Sequence, residues 1–396
     1  MDLTIEKLVY GGEGLARVNG EVVFTPFVLP GELVAAERLP SRKGAVRARL
    51  VEVRQPSPDR VTPPCAVFGK CGGCQYQHID HPAQLNLKRN ILAETLRRGG
   101  GIEFEADNID VLAGEPWGYR NRVQFHIEND VLGYRAMGSH RLVAATACPI
   151  GSPKINEALT TLREMARNRR WPSFVRAIEV FTDEEQLQWN VLETDKPLAR
   201  GFFDWLAQEL PGTVDGALDY RVGTDAFQVS GKSFFQVNRF LVPELAKLVC
   251  GEMTGGTAWD LYAGVGLFAI PLARRFGQVI AVESGRAATK DLKQNARTAG
   301  VEVTSEEKDT DTFLAEASQP PDLVIADPPR QGLGKHAVAR LLTLKPTTIV
   351  LVACDPATLA RDLAALTAEY QIAKVTMADL FPQTYHLETV VRLERK

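Results

Sequence analysis

The 396-residue chain lacks the sequence features of membrane and secreted proteins. No apolar run approaches the roughly 20 residues that a membrane-spanning helix needs. The first residues, Met1 to Lys7, have no basic stretch followed by an apolar one, so they do not resemble a signal peptide. We therefore expect a cytoplasmic location and no contact with a membrane.

The chain also lacks an excess of positive charge. Its formal net charge is −3 and its pI is about 6.2, so charge alone does not indicate a nucleic-acid-binding protein. Basic residues cluster only locally, and the sequence leaves open whether they contact phosphate. The two clusters are Arg42, Lys43, Arg47 and Arg49, and Arg163, Arg167, Arg169 and Arg170. Nothing in the composition indicates an obligate protein partner.

Cysteine is scarce, with six residues, but four of them form a suggestive set. Three lie within ten positions and the fourth precedes a proline: Cys65, Cys71, Cys74 and Cys148. In a cytoplasmic chain such a cluster is more typical of a metal site than of disulfides. Four thiolates fit either zinc or a [4Fe–4S] cluster, and the single C-x2-C pair with its Gly-Gly spacer favours iron–sulfur.

The length exceeds that of a single ordinary core, and the sequence pattern divides into three domains. Residues 1–57 contain short strand-like runs separated by glycine turns, which predicts an OB-like β-barrel. Residues 58–220 begin after a proline-rich boundary and mix helix and strand patterns around the cysteines. Residues 221–396 alternate strand and helix, which predicts a doubly wound α/β sheet.

The last two strand-like runs of the third domain lie around 372–378 and 388–394, and their connection is too short for a crossover helix. They should therefore pair antiparallel. The predicted fold is a Rossmann-like, class I methyltransferase sheet with an antiparallel hairpin at one side.

A glycine turn in this domain predicts a nucleotide-type ligand. Gly264 and Gly266 begin a G-x-G-x-x-A motif, and Glu283 follows about 20 residues later. Such a turn lets a backbone approach a ligand while the carboxylate accepts ribose hydroxyls. NAD and S-adenosylmethionine both satisfy this pattern, but Asp260 and the Asp327-Pro-Pro-Arg segment are typical of methyltransferases.

Three further residues suggest covalent catalysis. Cys354 lies at a strand-to-helix turn, where the helix N-terminus is expected to favour its thiolate. Asp327 also ends a strand, and both should lie at the carboxyl edge of the sheet. If the final antiparallel strand inserts beside the Cys354 strand, Glu388 lies next to Cys354.

This trio suits methylation of uracil at C5. Addition of a cysteine to C6 makes C5 nucleophilic, and after methyl transfer a base must remove the C5 proton. Cys354 is the predicted nucleophile, Glu388 the predicted base, and Asp327 could orient the uracil edge. Enzymes that methylate exocyclic amines use similar Asp-Pro-Pro segments that end in an aromatic residue, and here Arg330 makes that alternative weaker. A non-enzymatic iron–sulfur RNA-binding protein is the other alternative.

Several motifs together resemble the RNA uracil-C5-methyltransferases, and the likeness is greatest to the ribosomal 23S RNA branch. They are Gly11-Gly-Glu-Gly, Cys71-Gly-Gly-Cys, Phe234-Phe-Gln-Val-Asn, Asp260-Leu-Tyr-Ala-Gly, Asp327-Pro-Pro-Arg, Ala353-Cys-Asp-Pro and Phe381-Pro-Gln-Thr-Tyr-His-Leu-Glu.

The resemblance implies a TRAM domain at 1–57 and a [4Fe–4S] cluster held by the four cysteines named above. It also implies contacts to S-adenosylmethionine from Gln236, Tyr262, Glu283, Asp309 and Asp327. The expected function is methylation of a uridine at C5 in structured RNA, ribosomal rather than transfer RNA.

Overall fold

The computed structural model describes residues 1–40 and 45–396. Its first part is a barrel-like sheet in the order β1-β5-β6-β4-β3-β2. Alternate residues of these strands, among them Leu3, Val23 and Val34, point into a small apolar core, as a period-2 pattern requires. The strands are β1 (Asp2–Thr4), β2 (Lys7–Leu8), β3 (Glu13–Val18), β4 (Glu21–Pro26), β5 (Leu33–Arg38) and β6 (Val46–Gln55). Arg42 and Lys43 of the first basic cluster lie outside the described residues.

The second part is built on a sheet in the order β10-β9-β8-β11-β12-β13, with helices α2 and α3 packed against it. A separate hairpin, β14–β15, follows. The elements are β8 (Arg122–Glu128), β9 (Val131–Arg135), β10 (Leu142–Ala144), α2 (Pro153–Ala166), β11 (Val175–Thr182), β12 (Leu187–Thr194), α3 (Arg200–Glu209), β13 (Thr213–Val214), β14 (Leu218–Val222) and β15 (Asp225–Val229).

The third part is an eight-stranded sheet in the order β18-β17-β16-β19-β20-β22-β21-β7. Only β22 runs antiparallel to its neighbours, and it lies between β20 and β21, so the predicted insertion of the last strand is confirmed. The strands are β7 (Asp110–Leu112), β16 (Gly255–Leu261), β17 (Phe276–Val282), β18 (Thr304–Glu306), β19 (Leu323–Ala326), β20 (Thr348–Ala353), β21 (Tyr370–Ala378) and β22 (Glu388–Arg395).

Helices cover both faces of this sheet, because its central strands are apolar on both sides. One apolar cluster joins the sheet to α1, α7, α8 and α9, and a second joins it to α4, α5 and α6. The helices are α1 (His81–Gly100), α4 (Val242–Cys250), α5 (Ala269–Leu272), α6 (Arg286–Thr298), α7 (Thr310–Glu316), α8 (Gly334–Leu344) and α9 (Pro356–Leu366). No helix in the described ranges is both long enough and apolar enough to cross a membrane.

One segment crosses the predicted boundary between the second and third domains. Helix α1 packs on α9, so closely that a Cβ at Gly100 would lie 2.6 Å from the Ala360 carbonyl oxygen. Strand β7 pairs in parallel with β21. The prediction placed both elements within 58–220, whereas they pack with the third part. The reason is that sequence periodicity predicts which face of α1 is apolar but not which part of the protein packs against that face.

Candidate functional site

Three strand ends bring the predicted catalytic residues to one edge of the large sheet. Asp327 follows β19, Cys354 follows β20, and Glu388 is the first residue of the antiparallel strand β22. Ala353 pairs with Thr389, so Cys354 and Glu388 lie next to each other across adjacent strands. Ala326 pairs with Leu351 on the other side of β20. The strand order therefore places a thiol between two carboxyl groups.

Burial and mutual repulsion keep this site poor in charge. Glu388 is only 6% exposed, and burial together with Asp327 raises the pKa of the Glu388 carboxyl well above its usual range. Burial raises the pKa of Asp327 to about 7. Two carboxyl groups that share a low-dielectric site cannot both ionise readily. Ionisation of one of these carboxyl groups therefore opposes ionisation of the other.

The pKa of the Cys354 thiol is raised, whereas its position before a helix N-terminus predicted a lowered pKa. Burial, Glu388 and Asp327 raise its pKa to about 11, although Arg330 acts in the other direction. The N-terminus of α9 does not compensate, because the Asp355 side chain caps it and accepts the N–H groups of Ala357 and Thr358 at 3.0 and 2.9 Å. The expected stabilisation of the thiolate was wrong, since a carboxylate already occupies the helix N-terminus.

The glycine turn lies at the same edge, after β16. Gly264 has a φ of +54°, and no heavy atom of the described residues approaches within 4 Å of the position that its Cβ would take. Its N–H donates to Glu283 Oε2 at 2.9 Å, and the Gly285 N–H donates to Glu283 Oε1 at 2.6 Å. Gly266 also has a positive φ, of +94°. The turn thus leaves open backbone beside a fixed carboxylate, an arrangement that fits a ribose-bearing ligand.

The other predicted cofactor residues differ in backbone conformation, burial and hydrogen bonding. Tyr262 has a φ of +65°, unusual for a residue with a side chain. Gln236 is half-buried after the β15 hairpin. Asp309 is exposed and caps α7, where it accepts the Thr312 N–H at 2.9 Å and its hydroxyl at 2.7 Å; these bonds lower the Asp309 pKa. Its carboxylate is therefore engaged by its own helix.

A cleft of about 1710 Å³ opens beside the catalytic edge and runs along the first and second parts of the protein. Phe234 lines it and is 65% exposed, far more than an ordinary core aromatic. Both cationic and aromatic side chains line it: Arg47, Arg49, Arg120, Arg122, Arg135, Lys232, Phe27, Phe68, Tyr134 and Tyr385. The second basic cluster, Arg163 to Arg170, does not line it. Cations and aromatic faces in one groove are suited to unstacked nucleotides.

The four clustered cysteines also line this cleft. Burial raises the pKa of the Cys74 thiol to about 12, and the pKa values of Cys71 and Cys148 are also raised. Each of these three thiols is further disfavoured as a thiolate by charge on its neighbours, which places the cysteines close together. In the part of the chain that the structure describes, however, no three His, Cys, Asp or Glu side chains are arranged to hold a metal ion.

Two sets of residues near the site were missed in the sequence. The Tyr10 hydroxyl, from the first part of the chain, donates to the Cys354 carbonyl at 3.4 Å, and its ring packs edge-on against Tyr385. Lys88 on α1 is buried and donates to Asp379 at 2.7 Å. Two features of the sequence could have pointed to these residues. Tyr10 directly precedes the Gly11-Gly12 turn, and Lys88 occupies a position among the apolar residues of α1.

Comparisons with known proteins agree with this geometry. Residues 314–396 match the tRNA (uracil-5-)-methyltransferase family model, and residues 1–51 match the TRAM domain. An RNA methyltransferase of uncharacterised function from Aquifex aeolicus is 33% identical over 100% of this chain and 99% of its own length. The 23S rRNA (uracil(1939)-C(5))-methyltransferase RlmD of Halomonas elongata is 34% identical over 99% of this chain and 89% of its own.

A solved structure shares the complete fold. The Pyrococcus abyssi tRNA (uracil-54, C5)-methyltransferase, crystallised with S-adenosyl-L-homocysteine, superposes with a TM-score of 0.83 at 27% identity and covers 99% of both chains. The class I methyltransferase fold and the N-terminal TRAM domain that the sequence predicted are thereby confirmed.

Proposed function

The chain belongs to the family of S-adenosylmethionine-dependent RNA uracil-C5-methyltransferases, and from this premise we propose that it methylates C5 of a uridine in 23S ribosomal RNA. The observation that carries the proposal is the placement of Cys354 between Asp327 and Glu388, at the edge where the glycine turn opens. The 34% identity to the RlmD relative over nearly the whole chain supports the ribosomal substrate.

In the proposed reaction, the residues of the trio act in sequence. Cys354 Sγ adds to C6 of the uracil as its proton passes to the Asp327 carboxylate, and the ring electrons move to form an enolate with nucleophilic C5. S-adenosylmethionine, when bound, would supply its sulfonium methyl group to C5 and leave as S-adenosylhomocysteine. Glu388 then removes the C5 proton, and the electrons of that C–H bond restore the C5–C6 double bond as the Cys354–C6 bond breaks. Asp327 holds the uracil edge during these steps.

Residues around the glycine turn would hold the methyl donor. Glu283 is fixed by two backbone N–H groups and can accept ribose hydroxyls. We propose that Gln236 and Tyr262 contact the same ligand, with Gly264 and Gly266 providing close backbone approach. Asp309 is proposed for the adenine side, where it would have to act while capping α7.

The cleft is proposed to hold the flanking RNA. The target uridine must leave any stack, because Cys354 attacks the face of the ring at C6. Phe234, exposed in the cleft, offers a surface on which an unstacked base can lie.

Substrate class is tested with labelled S-adenosylmethionine and separate 23S ribosomal and transfer RNA transcripts, followed by nuclease digestion and mass mapping. We expect 5-methyluridine in the ribosomal transcript. The tRNA enzyme of the same fold makes transfer RNA the second candidate, and 5-methyluridine only there would favour it. A methyl group on an exocyclic amine would contradict both and support the amine methyltransferase alternative.

We further propose that Cys65, Cys71, Cys74 and Cys148 hold a [4Fe–4S] cluster. Four thiols line one cleft, and three of them have raised pKa values that a cationic centre would lower again. Thiols that share one zinc ion, with bonds of about 2.3 Å, must lie roughly 4 Å apart. No group of side chains arranged to hold a metal ion occurs within the described ranges, so metal analysis has to distinguish the cluster from zinc and from metal-free thiols.

Iron and acid-labile sulfide analysis of anaerobically purified protein tests the cluster. We expect about four of each per chain, and their loss in C74A. Cys250, buried on α4, is the matched control, and C250A should keep the metal. Colourless protein with one zinc ion per chain would contradict the proposal.

A further inference from the structure

The loop that presents Glu388 is held from outside its own sheet. Residues 379–387 connect β21 to β22, and most of them are buried. Gln383 is 2% exposed and has a φ of +68°, a left-handed conformation that is disfavoured for a residue with a side chain. Such a conformation persists only where surrounding contacts over-determine it.

Those contacts come from the segment that follows the cysteine turn. The backbone N–H groups of Gln75 and Tyr76 both donate to the Gln383 carbonyl, at 3.0 and 2.9 Å. Gln75 directly follows Cys74 in the chain. Two residues before Gln383, the loop is also tied to α1, because the Lys88 ammonium donates to the Phe381 carbonyl at 3.1 Å.

Gln84 on α1 completes the hold on Gln383. Its Oε1 accepts the Gln383 N–H at 3.0 Å, and its Nε2 lies 2.9 Å from Gln383 Oε1 as a donor. The same Nε2 donates to the carbonyls of Tyr76 and Ile79, at 3.2 and 2.8 Å. Gln84 is 0% exposed. The buried amide of Gln84 thus hydrogen-bonds both to the loop, at Gln383, and to Tyr76 of the segment that holds the loop.

We propose that Gln84 is a positioning residue for Glu388. By fixing Gln383 five residues before Glu388, it sets the start of β22 and the aim of the carboxylate at the C5 proton. This inference rests on the proposed role of Glu388 as the base. Cys354 follows β20, and the loop reaches it only through the Tyr385 ring, which packs against Tyr10. Loss of Gln84 should therefore slow the steps that follow methyl transfer far more than the addition of Cys354.

The test is a single-turnover assay with S-adenosylmethionine and the 23S ribosomal transcript, in which denaturing gels follow the covalent protein–RNA adduct. In Q84A, methyl transfer should stay within about threefold of the unaltered protein. Decay of the adduct should slow by at least about tenfold, since misplacement by about 1 Å can cost a hundredfold in rate. The matched control is Q188A: Gln188 is equally buried and donates to two carbonyls, at 2.9 and 2.6 Å, in the second part of the protein.

Thermal unfolding of both variants separates positioning from general destabilisation. Similar melting temperatures with slow adduct decay only in Q84A support the proposal. Unchanged decay in Q84A, or equal slowing in Q188A, overturns it. E388Q identifies which claim has failed: if it stalls as an adduct while Q84A does not, only the positioning role is wrong. If E388Q turns over normally, the role of Glu388 is wrong and the positioning role is overturned with it.

Discussion

At the scale of single residues, the chemistry depends on a thiol that is not pre-ionised. With its pKa raised to about 11, Cys354 is predominantly a neutral thiol at pH 7.5. The proton must therefore leave as the sulfur attacks, and Asp327 is the available acceptor, because Glu388 has to stay ionised to take the C5 proton. Asp327, with a pKa of about 7, is suited to such an exchange near neutral pH.

Alkylation of Cys354 by iodoacetamide should report this pKa. A raised thiol pKa favours the neutral form, so the alkylation rate should keep rising by roughly tenfold per pH unit between pH 7 and 10. An ordinary cysteine, with a pKa of about 8.5, would level off above pH 9. Peptide mass mapping follows the reaction at Cys354 alone, and C354A provides the blank. A plateau below pH 8 would mean that the thiol is activated in the free protein.

The sequence could identify these residues but not their protonation. The order of the strand ends and the short final connection were enough to place Glu388 at the same sheet edge as Cys354. Its position directly beside Cys354 also required the last strand to insert next to β20, as the structure shows. The direction of the Cys354 pKa depended on two features that the sequence did not reveal. One is the burial of the site that Asp327 and Glu388 share, and the other is the use of the α9 N-terminus by Asp355.

At the scale of elements, the buried pair between α1 and the end of β21 should dominate local stability. Burial opposes ionisation of Asp379, but Lys88 and His81 hold its pKa below the usual value. Lys88 lies 2.7 Å and His81 3.0 Å from the carboxylate. Because this carboxyl pKa is lowered on folding, the stabilisation is present above its unfolded pKa and is lost as pH falls through the folded value.

K88M should therefore lower the free energy of unfolding by about 3–5 kcal/mol at pH 7, since it leaves a buried carboxylate without its main partner. K374M is the matched control. Lys374 pairs with Asp110 at 2.9 Å, but the two side chains are 54% and 60% exposed, and its loss should cost less than about 1 kcal/mol. Urea unfolding at pH 7 measures both. Equal effects would show that burial does not strengthen the first pair.

For helix α1, the sequence predicted the element but not the contacts of its buried polar residues. The apolar spacing of residues 82–98 predicted α1, and the structure has it at His81–Gly100. The spacing could not reveal that its buried Gln84 and Lys88 serve the loop before Glu388, nearly 300 residues later. Contacts of such separation leave no local pattern in the chain.

At the scale of the whole molecule, three parts contribute to one working surface. The TRAM domain brings Tyr10 to the Cys354 carbonyl, and the second part lines the long cleft with cations and aromatic rings. The methyltransferase sheet provides the reactive edge. The cleft is lined by Tyr10 and by His386, two residues before Glu388, so an RNA held in it would lie beside the reactive edge, where its target base must unstack to meet the thiol.

F234A should weaken RNA binding by roughly tenfold, because stacking on an aromatic side chain contributes about 1–3 kcal/mol per base. Affinity for S-adenosylmethionine should not change. The matched control is F203A: Phe203 is also exposed, at 43%, but lies on α3 away from the cleft. Filter binding at fixed salt measures the RNA affinity. A loss of equal size in F203A would refute the assignment of the cleft.

The central claim, covalent methylation of uridine by Cys354 with proton removal by Glu388, is tested most directly by trapping the intermediate. The unaltered protein, C354A and E388Q are each incubated with S-adenosylmethionine and the 23S ribosomal transcript, then run on denaturing gels and analysed by mass spectrometry. If Cys354 is the nucleophile and Glu388 the base, we expect no adduct in C354A and, in E388Q, a stable protein–RNA adduct that carries the transferred methyl group. An adduct in C354A, or normal turnover in E388Q, would contradict it.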